Sequence, residues 1–295
     1  MYRPSAFVMI NKDNHPDPDK RMWPGLSVKQ GLEKAGFNNR CKYAMVSRTE
    51  VMLPWDLLVC WTMWSKTARV RASDDLAKIG GKTLCMENGW IGYIKGIKHY
   101  QLAWRVGNGS GINGQGEAPV GDDSRWKSWG IELAPWRKQG KHILVCAQRG
   151  MRPDDPDITH GEDWPDKVVA KIRKYTDRPI HFRPHPGNNR PCIPKIHKVE
   201  KIINSRQESL EENMKDAWCG VVYSSTAANE MLVQGIPVCY DGVSIMCKNI
   251  AGRVKEVDNP PLLDRETEMK KLAWYQWSNA ELSSGMAFKH VLEQE

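Results

Sequence analysis

The stretch GVVYSSTAANEMLVQGIPVCY, residues 220–240, decides the fold that we predict for this chain. It begins with an apolar run, continues through three hydroxyl residues into a segment with helical spacing, and breaks at Gly235 before a second apolar run. A strand, a tight polar turn, a helix and a second strand in this order are typical of a βαβ unit, whose two strands are parallel. The stretch therefore predicts an α/β protein.

The polar turn of this unit carries Ser224, Ser225 and Thr226. Hydroxyls and free backbone N–H groups at the start of a helix bind phosphate, because the helix dipole is positive there. Glu230 lies about one turn into the helix, near enough to accept a hydrogen bond from a ribose or a sugar hydroxyl. The turn thus predicts a nucleotide site, and the alternative is an ordinary N-cap followed by a surface glutamate.

Two earlier strands also end in basic residues. In HFRPHPG, the strand predicted at 179–183 ends in Arg183 and is followed by His185, and CAQRGMR places Arg149 and Arg152 after another strand. Open α/β sheets bind ligands at the carboxyl ends of their strands. Arg183 can clamp phosphate oxygens bidentately, and His185 can hydrogen-bond or protonate them. Three such strand ends in succession indicate a phosphate site rather than a decorated surface.

The whole chain alternates strands with helices. Predicted strands lie at 5–11, 42–47, 56–61, 82–87, 142–147, 179–183, 219–223 and 236–240, and predicted helices at 28–35, 66–79, 164–175, 205–213, 226–234 and 281–292. This alternation predicts largely parallel sheets that are covered on both faces. We expect two Rossmann-like domains, residues 1–135 and 136–295, with the last helix crossing back onto the first domain.

One carboxylate of the N-terminal half is a candidate for catalysis. In LCMENGW, Glu87 is the last residue of the predicted strand 82–87, close to Gly89. A carboxylate at a strand end can act as a general base or as a nucleophile. The alternative is a turn residue that caps Asn88-Gly89. The glycine-rich tract at 105–125 has neither the ending of a Walker A loop nor the spacing of a dinucleotide-binding motif, so we interpret it as a substrate loop or lid.

The sequence is basic and rich in tryptophan, with a formal net charge of +8 and 13 Trp in 295 residues. A basic surface attracts polyanions. The stretch 125–141 mixes basic and aromatic residues, which can contact phosphates and stack an unstacked base. We therefore predict acceptor contacts for Asn113, Trp126, Trp129 and Arg137, and duplex DNA with a modified base as the acceptor.

Cysteine spacing and hydropathy set further expectations. Eight cysteines are scattered without a CxxC pair, which predicts reduced core thiols, no zinc site and no disulfide framework. The sequence contains no run of about 18 apolar residues, so we expect no membrane-spanning helix. The first apolar run is too short for a signal peptide. We expect a cytoplasmic protein with no integral membrane association.

Three motifs together resemble a known family. The order ENGW, then RPHP, then SSTAANEMLVQGIPV resembles the capsular-polysaccharide Kdo transferases and related GT-B glycosyltransferases. The resemblance implies a GT-B-like fold with an interdomain cleft. It implies that His185, Ser224, Ser225 and Glu230 hold the donor nucleotide and that Glu87 lies at the reaction centre. This sequence departs from the family by having asparagine at position 88, where the family has aspartate.

The predicted function is the transfer of a sugar from a UDP- or CMP-linked donor, with no metal ion and no other cofactor. The compact, basic, Trp-rich form is also similar to glycosyltransferases encoded by bacteriophages, some of which glycosylate modified bases of phage DNA; a phage-encoded protein would act in the host cytoplasm. The alternatives are a polysaccharide or lipid-linked saccharide acceptor, a nucleotide-sugar epimerase of the same architecture, and a non-catalytic nucleic-acid-binding protein.

Overall fold

The computed structural model describes residues 4–10, 15–41, 56–61, 68–107, 114, 116–149, 160–188 and 192–293. The chain forms two compact units. The first unit comprises Met1–Trp129 together with Lys270–Glu295, and the second comprises Gly130–Met269. The predicted division was 1–135 and 136–295, so the observed units differ from it at both ends of the second unit.

The elements are numbered here in chain order. Up to residue 129 they are β1 (Ser5–Met9), α1 (Gly25–Lys34), β2 (Asn38–Cys41), β3 (Leu57–Trp61), α2 (Ala68–Ala77), β4 (Lys82–Ile94), β5 (Ile97–Arg105), β6 (Gly116–Glu117) and α3 (Ser124–Trp129). The second unit contains β7 (His142–Cys146), α4 (Trp164–Ile172), β8 (Ile180–Arg183), β9 (Lys201–Ile202), α5 (Leu210–Met214), β10 (Ala217–Val222), α6 (Ala227–Val233), β11 (Val238–Tyr240) and β12 (Gly252–Arg253). The chain then continues through α7 (Arg265–Leu272), β13 (Gln276–Ser278), α8 (Asn279–Ser284) and α9 (Met286–Glu293).

The sheet of the first unit is mixed. Its strand order is β13-β5-β4-β3-β1-β2, with β6 paired to β5. Strands β2, β1, β3 and β4 are parallel, as predicted, whereas β5 is antiparallel to β4, β6 and β13. The prediction of a parallel sheet is therefore wrong for one side of this unit. The predicted strand 42–47 lies outside the described residues.

The antiparallel side exists because β4 and β5 form a hairpin. Its turn is at Lys95-Gly96, and both residues have positive φ, of 51° and 77°. Two-residue hairpin turns favour such positive φ values, because the resulting twist matches that of the strands. The sequence suggested a turn at Asn88-Gly89 instead, but both residues belong to β4. The predicted strand 82–87 is consequently a 13-residue strand.

The C-terminal segment completes the first unit. Strand β13 pairs with β5, with Trp277 opposite Tyr100. The predicted helix at 281–292 is observed as α8 and α9, which Gly285 separates with a φ of 85°. These helices approach α1 so closely that a Cβ at Gly31 would lie 1.9 Å from the carbonyl oxygen of Leu282.

The sheet of the second unit is parallel throughout, as predicted. Its strand order is β12-β11-β10-β7-β8-β9. In chain order this is 6-5-4-1-2-3, the order of a Rossmann-type sheet, so the order reverses between β7 and β10. The core beneath these strands includes Val145, Phe182, Val221 and Cys239, all buried.

Residues just before β7 are anchored to the end of helix α6 in the second unit. The amide of Ala134 donates to the carbonyl of Val233 at 2.9 Å, and that of Arg137 donates to Gly235 at 2.8 Å. A Cβ at Gly235 would lie 2.1 Å from the carbonyl oxygen of Pro135. The second unit therefore begins at Gly130 rather than at the predicted residue 136.

Buried thiols are distributed over both units. The free, buried cysteines are Cys60, Cys85, Cys146, Cys192, Cys219, Cys239 and Cys247. A free cysteine in such a position behaves as a small hydrophobic residue. Among the described residues, no helix combines the length and apolar character needed to span a bilayer.

Candidate functional site

The carboxyl edge of the second sheet brings two loops together at the point where the strand order reverses. Gln148 follows β7, and Ser224 follows β10. The side-chain amide of Gln148 donates to the hydroxyl of Ser224 at 2.5 Å. Open α/β sheets bind their ligands in the crevice at this reversal. The edge is therefore where a nucleotide is expected, and Ser224 is part of it.

A buried histidine supports the first of these loops. Nε2 of His160 accepts a hydrogen bond from the backbone N–H of Gln148 at 3.2 Å, while Nδ1 lies 2.9 Å from the carbonyl of Gly161. Burial lowers the pKa of His160, so the ring stays neutral and one nitrogen can accept. The ring also stacks on Trp164. Sequence reasoning missed Gln148 and His160; the first stood beside Arg149 at the same strand end, and no motif marked the second.

His185 is held in one tautomer by its own loop. Its Nδ1 accepts a hydrogen bond from the backbone N–H of Gly187 at 3.0 Å. Burial lowers the pKa of His185, and the charges of Arg149 and Arg183 lower it further. The neutral ring therefore carries its proton on Nε2. This arrangement makes Nε2 a hydrogen-bond donor for a phosphate or sugar oxygen.

Arg149 lies beside the same loop. A Cβ built at Gly187 would be 3.3 Å from Nε of Arg149 and 3.2 Å from the ring of His185. Arg149 is exposed, and its guanidinium forms no hydrogen bond or ion pair with any residue that the structure describes. It is thus available to an anion. Arg152, the other arginine predicted at this strand end, lies outside the described residues.

Arg183 has a different environment from the one predicted. Its side chain is buried, and its guanidinium donates to the carbonyls of Glu208, at 2.9 Å, and Ser205, at 3.4 Å, and to the side chain of Asn213. These acceptors take three of the five N–H groups of the guanidinium, so the predicted phosphate contact of Arg183 would depend on the other two. Its charge acts on the site through space, since it opposes ionisation of His185 and favours that of Glu230.

The loop after β10 contains the remaining predicted nucleotide ligands. The hydroxyl of Ser225 accepts from the amide of Ala227 at 3.3 Å, and Thr226 is exposed. Helix α6 is only seven residues long, so its dipole contributes less than a longer helix would. Glu230 contacts solvent but lies in a recess of protein atoms, and this burial raises the pKa of its carboxyl group while Arg183 opposes the rise.

The prediction placed Glu87 at the end of a strand. In the structure it lies inside β4 of the first unit. Within the described residues, the parallel pairing of β3 with β4 runs as far as Trp61 opposite Met86, the residue before Glu87. Its Oε1 accepts two hydrogen bonds from Asn88, one from the backbone and one from the side-chain amide, both at 2.9 Å.

The backbone beyond Glu87 is held by two glutamines. The amide of Gln101 donates to the carbonyl of Asn88 at 2.8 Å. The buried side chain of Gln276 accepts from the N–H of Ile91 and donates to its carbonyl, both at 3.1 Å. It thereby substitutes for a backbone partner where the β4–β5 register is interrupted. Sequence reasoning could not find Gln276, because it lies 185 residues from Ile91.

The structure corrects the prediction that Trp126, Trp129 and Arg137 form an acceptor surface. Trp126 and Trp129 are each only 6% exposed and pack with Trp90 in the first unit. In the second unit, Arg137 donates to the carbonyls of Met214 and Ala217, at 2.7 and 2.9 Å. These three residues stabilise their own units. Asn113 lies outside the described residues.

Arg125, in the same stretch, is buried because aromatic rings and a carboxylate neutralise its charge. Its guanidinium lies 3.9 Å from the ring centroid of Trp277 and pairs with Glu281. Cation–π contacts and a bidentate ion pair let an arginine be buried. Arg125 therefore belongs to the core of the first unit together with Trp126 and Trp129, whereas Lys127, Lys138 and Lys141 are exposed. In the described part of the chain, no three His, Cys, Asp or Glu side chains are grouped as metal ligands.

Comparison with known proteins gives matches at the level of structure. No protein-family model and no curated protein matches the sequence. A β-Kdo 2,4 transferase, KpsC of Thermosulfurimonas dismutans, superposes with a TM-score of 0.60 at 13% identity, over 94% of this chain and 92% of that chain. A β-Kdo 2,7 transferase of the same name and organism gives 0.56 at 14% identity, over 97% and 99%.

The chain has the fold of these two Kdo transferases. At this low identity the likeness shows the fold alone, and it supports the α/β, GT-B-like fold class that the three motifs indicated. The predicted interdomain cleft stays a prediction. A putative UDP-N-acetylglucosamine 2-epimerase from Listeria monocytogenes matches with a TM-score of only 0.31 at 12% identity, over 100% of this chain and 98% of that chain.

Proposed function

We propose that this chain is a glycosyltransferase that moves a sugar from a nucleotide-sugar donor to a saccharide acceptor. The observation that carries the proposal is the arrangement of Arg149, neutral His185 and Ser224 along one carboxyl edge of a Rossmann-type sheet. The fold shared with two Kdo transferases supports it.

The chemistry of this edge suits the departing nucleotide. When the bond between the sugar carbon and the phosphate oxygen breaks, the phosphate keeps the electron pair and gains negative charge. The cation of Arg149 and the Nε2–H of His185 stabilise that charge, and stabilisation of developing charge is often the largest contribution to catalysis. These residues need no metal ion for this role. Ser224 and Glu230 remain the proposed contacts to the rest of the nucleotide.

Glu87 is the proposed general base. Its carboxylate accepts the proton of the acceptor hydroxyl while that oxygen forms its bond to the sugar carbon. Asn88 orients the carboxylate through the two hydrogen bonds to Oε1.

A saccharide acceptor replaces the DNA acceptor as our proposal. The DNA interpretation depended on Trp126, Trp129 and Arg137, and these side chains bind within their own units. Only the net charge of +8 remains in its favour. Binding to duplex DNA, with an affinity that falls linearly with the logarithm of salt concentration, would restore it. The bacteriophage origin stays a prediction.

Nucleotide binding tests the donor site directly. Titration calorimetry with CMP, UDP and GDP should identify one nucleotide that the chain prefers. Arg149→Ala and His185→Ala should each weaken its binding by about 10- to 100-fold, because a hydrogen bond to a charged group contributes about 1.5–3 kcal/mol. Lys167→Ala is the matched control, since this exposed lysine of α4 forms its ion pair with Asp163, away from the proposed site residues. Unchanged affinity in both site variants would remove this edge as the donor site.

A further inference from the structure

A cavity lies at the amino edge of the parallel strands of the first unit, on the side away from Glu87. Its volume is about 590 Å³, and it is formed by the C-terminal half of α2, the start of β4 and the end of β5. The residues that matter for its chemistry are Ser73, Asp74, Lys82, Trp104, Arg105 and Glu117. Lys82 and Glu87 are five residues apart on one strand, which is about 16 Å at ~3.3 Å per residue. The cavity is therefore distinct from the site of Glu87.

An indole ring forms one wall of this cavity. Nζ of Lys82 lies over the ring of Trp104, 5.7 Å from its centroid. Since Lys82 also lines the cavity, one face of the indole is directed toward the cavity lining. Lys82 is exposed and can leave that face to a ligand. The indole Nε1 of Trp104 is buried and has no hydrogen-bond partner among the described residues.

The charges around the ring are balanced. Arg105 pairs with Asp74 at 2.6 Å, and the arginine side chain is 7% exposed while that of the aspartate is 47% exposed. Glu117 is exposed on β6, directly opposite Trp104. Together with Lys82 these residues carry two positive and two negative charges. A balanced set attracts no anion strongly, whereas its carboxylates accept hydrogen bonds from neutral hydroxyl groups.

We propose that this cavity binds a neutral pyranose unit of a saccharide. One flat C–H face of the sugar packs on the indole of Trp104, and its hydroxyls donate to the carboxylates of Asp74 and Glu117. Cavities of about 300–1,000 Å³ are the usual size for small ligands. The identity of this saccharide as part of the acceptor rests on the proposed function. Only an acceptor several sugars long reaches both this cavity and Glu87.

Saturation-transfer NMR and titration calorimetry on the full chain test the proposal. The probes are maltotetraose, cellotetraose and tetra-N-acetylchitotetraose, which are neutral and differ in linkage and substituents. At least one should bind, and Trp104→Ala should weaken it at least tenfold. Because Trp104 also packs on the core, the decisive variant is the double substitution Asp74→Ala with Glu117→Ala, which keeps the ring and should weaken binding by a similar factor.

Asp75→Ala is the matched control, since this neighbouring residue of α2 pairs with Lys78 and does not line the cavity. It should bind the probe as the wild type does. No binding of any of the three probes, or wild-type affinity in the double variant, would overturn the proposal. If the wild-type chain binds a saccharide probe but none of the nucleotides, the result would count against the proposed function and not against this site.

Discussion

Asn88 donates two hydrogen bonds to a single oxygen of Glu87. An aspartate at this position keeps the backbone donor but replaces the amide donor with a second carboxylate. Two adjacent carboxylates disfavour ionisation of each other. If Glu87 is the base, it must be ionised to act, and activity is lost as the pH falls. Asn88→Asp should therefore move the acid limb of the kcat profile to higher pH.

The measurement is kcat against pH for the wild type, Asn88→Asp and Asn88→Ala. The alanine removes the donor without adding a charge, so its acid limb should move less. Glu87→Gln should abolish the pH-dependent activity. A wild-type profile in Asn88→Asp, together with an inactive Glu87→Gln, would show that Asn88 does not act on the carboxylate.

Individual side chains also show where sequence reasoning reaches its limit. The strand-end pattern correctly placed Arg149, His185 and Ser224 at one edge, because strand ends follow from local hydropathy. The pattern could not show which of the two arginines, Arg149 or Arg183, has a guanidinium that is available to a ligand. The acceptors that occupy Arg183 come from residues 205–213, whose position depends on tertiary packing.

At the scale of elements, β7 and β8 carry a stacked histidine pair at their amino ends. The rings of His142 and His181 lie 3.9 Å apart. Burial lowers the pKa of His142 to about 4, and His181 lowers it as well. Burial lowers the pKa of His181 too. The charged and titratable groups that act on the pair are Arg137, Asp216, Glu200, Lys201 and Glu208.

This pair predicts an acid-sensitive second unit. In the unfolded chain a histidine has a pKa near ~6.5. As the pH falls from about 6.5 to about 4, the unfolded state therefore binds the proton before the folded state, and the free energy of unfolding decreases. His142→Gln should lose less stability than the wild type between pH 7 and pH 5, as measured by urea unfolding. His15→Gln, at an exposed histidine, is the control. Equal losses in wild type and His142→Gln would contradict the prediction.

The β4–β5 hairpin shows why the element prediction failed on one side of the first sheet. Asn-Gly is a strong turn signal, and Lys-Gly is a weaker one. Asn88-Gly89 nevertheless stays within a strand, because Gln101 and Gln276 bind the backbone there. A Cβ at Gly89 would lie 2.9 Å from the side-chain oxygen of Gln276. Gly89 therefore allows close packing against Gln276 and does not form a turn.

At the scale of the whole molecule, the sequence predicted two α/β domains with the last helix crossing back onto the first, and it did not predict that strand β13 also joins the first sheet. Strand β13 and helices α8 and α9 join a unit whose other residues end at Trp129. Local periodicity contains no information on which unit a terminal segment joins. Two contacts that make the choice are Ser27 with Asn279, at 2.9 Å, and Arg125 with Glu281.

The contact between Arg125 and Glu281 supports the last prediction. The arginine also donates to the carbonyls of Ala273 and Gln276, so one side chain binds three sites of the C-terminal segment. Burial alone would raise the pKa of Glu281, but hydrogen bonding to Arg125 holds it below its ordinary value. Arg125→Met leaves that carboxylate largely buried without its partner. Breaking a buried pair in this way costs about 3–5 kcal/mol.

Urea unfolding followed by tryptophan fluorescence should therefore show the first unit of Arg125→Met unfolding at a lower urea concentration than in the wild type. Lys127→Met is the control, because its exposed pair with Asp123 contributes at most about 1 kcal/mol. Nucleotide binding by the folded variant should stay at the wild-type level, since the proposed donor residues belong to the second unit. If Arg125→Met unfolds at the same urea concentration as Lys127→Met, the C-terminal segment is held by its apolar contacts, such as that of Phe288 with Gly31, and the ion pair is dispensable.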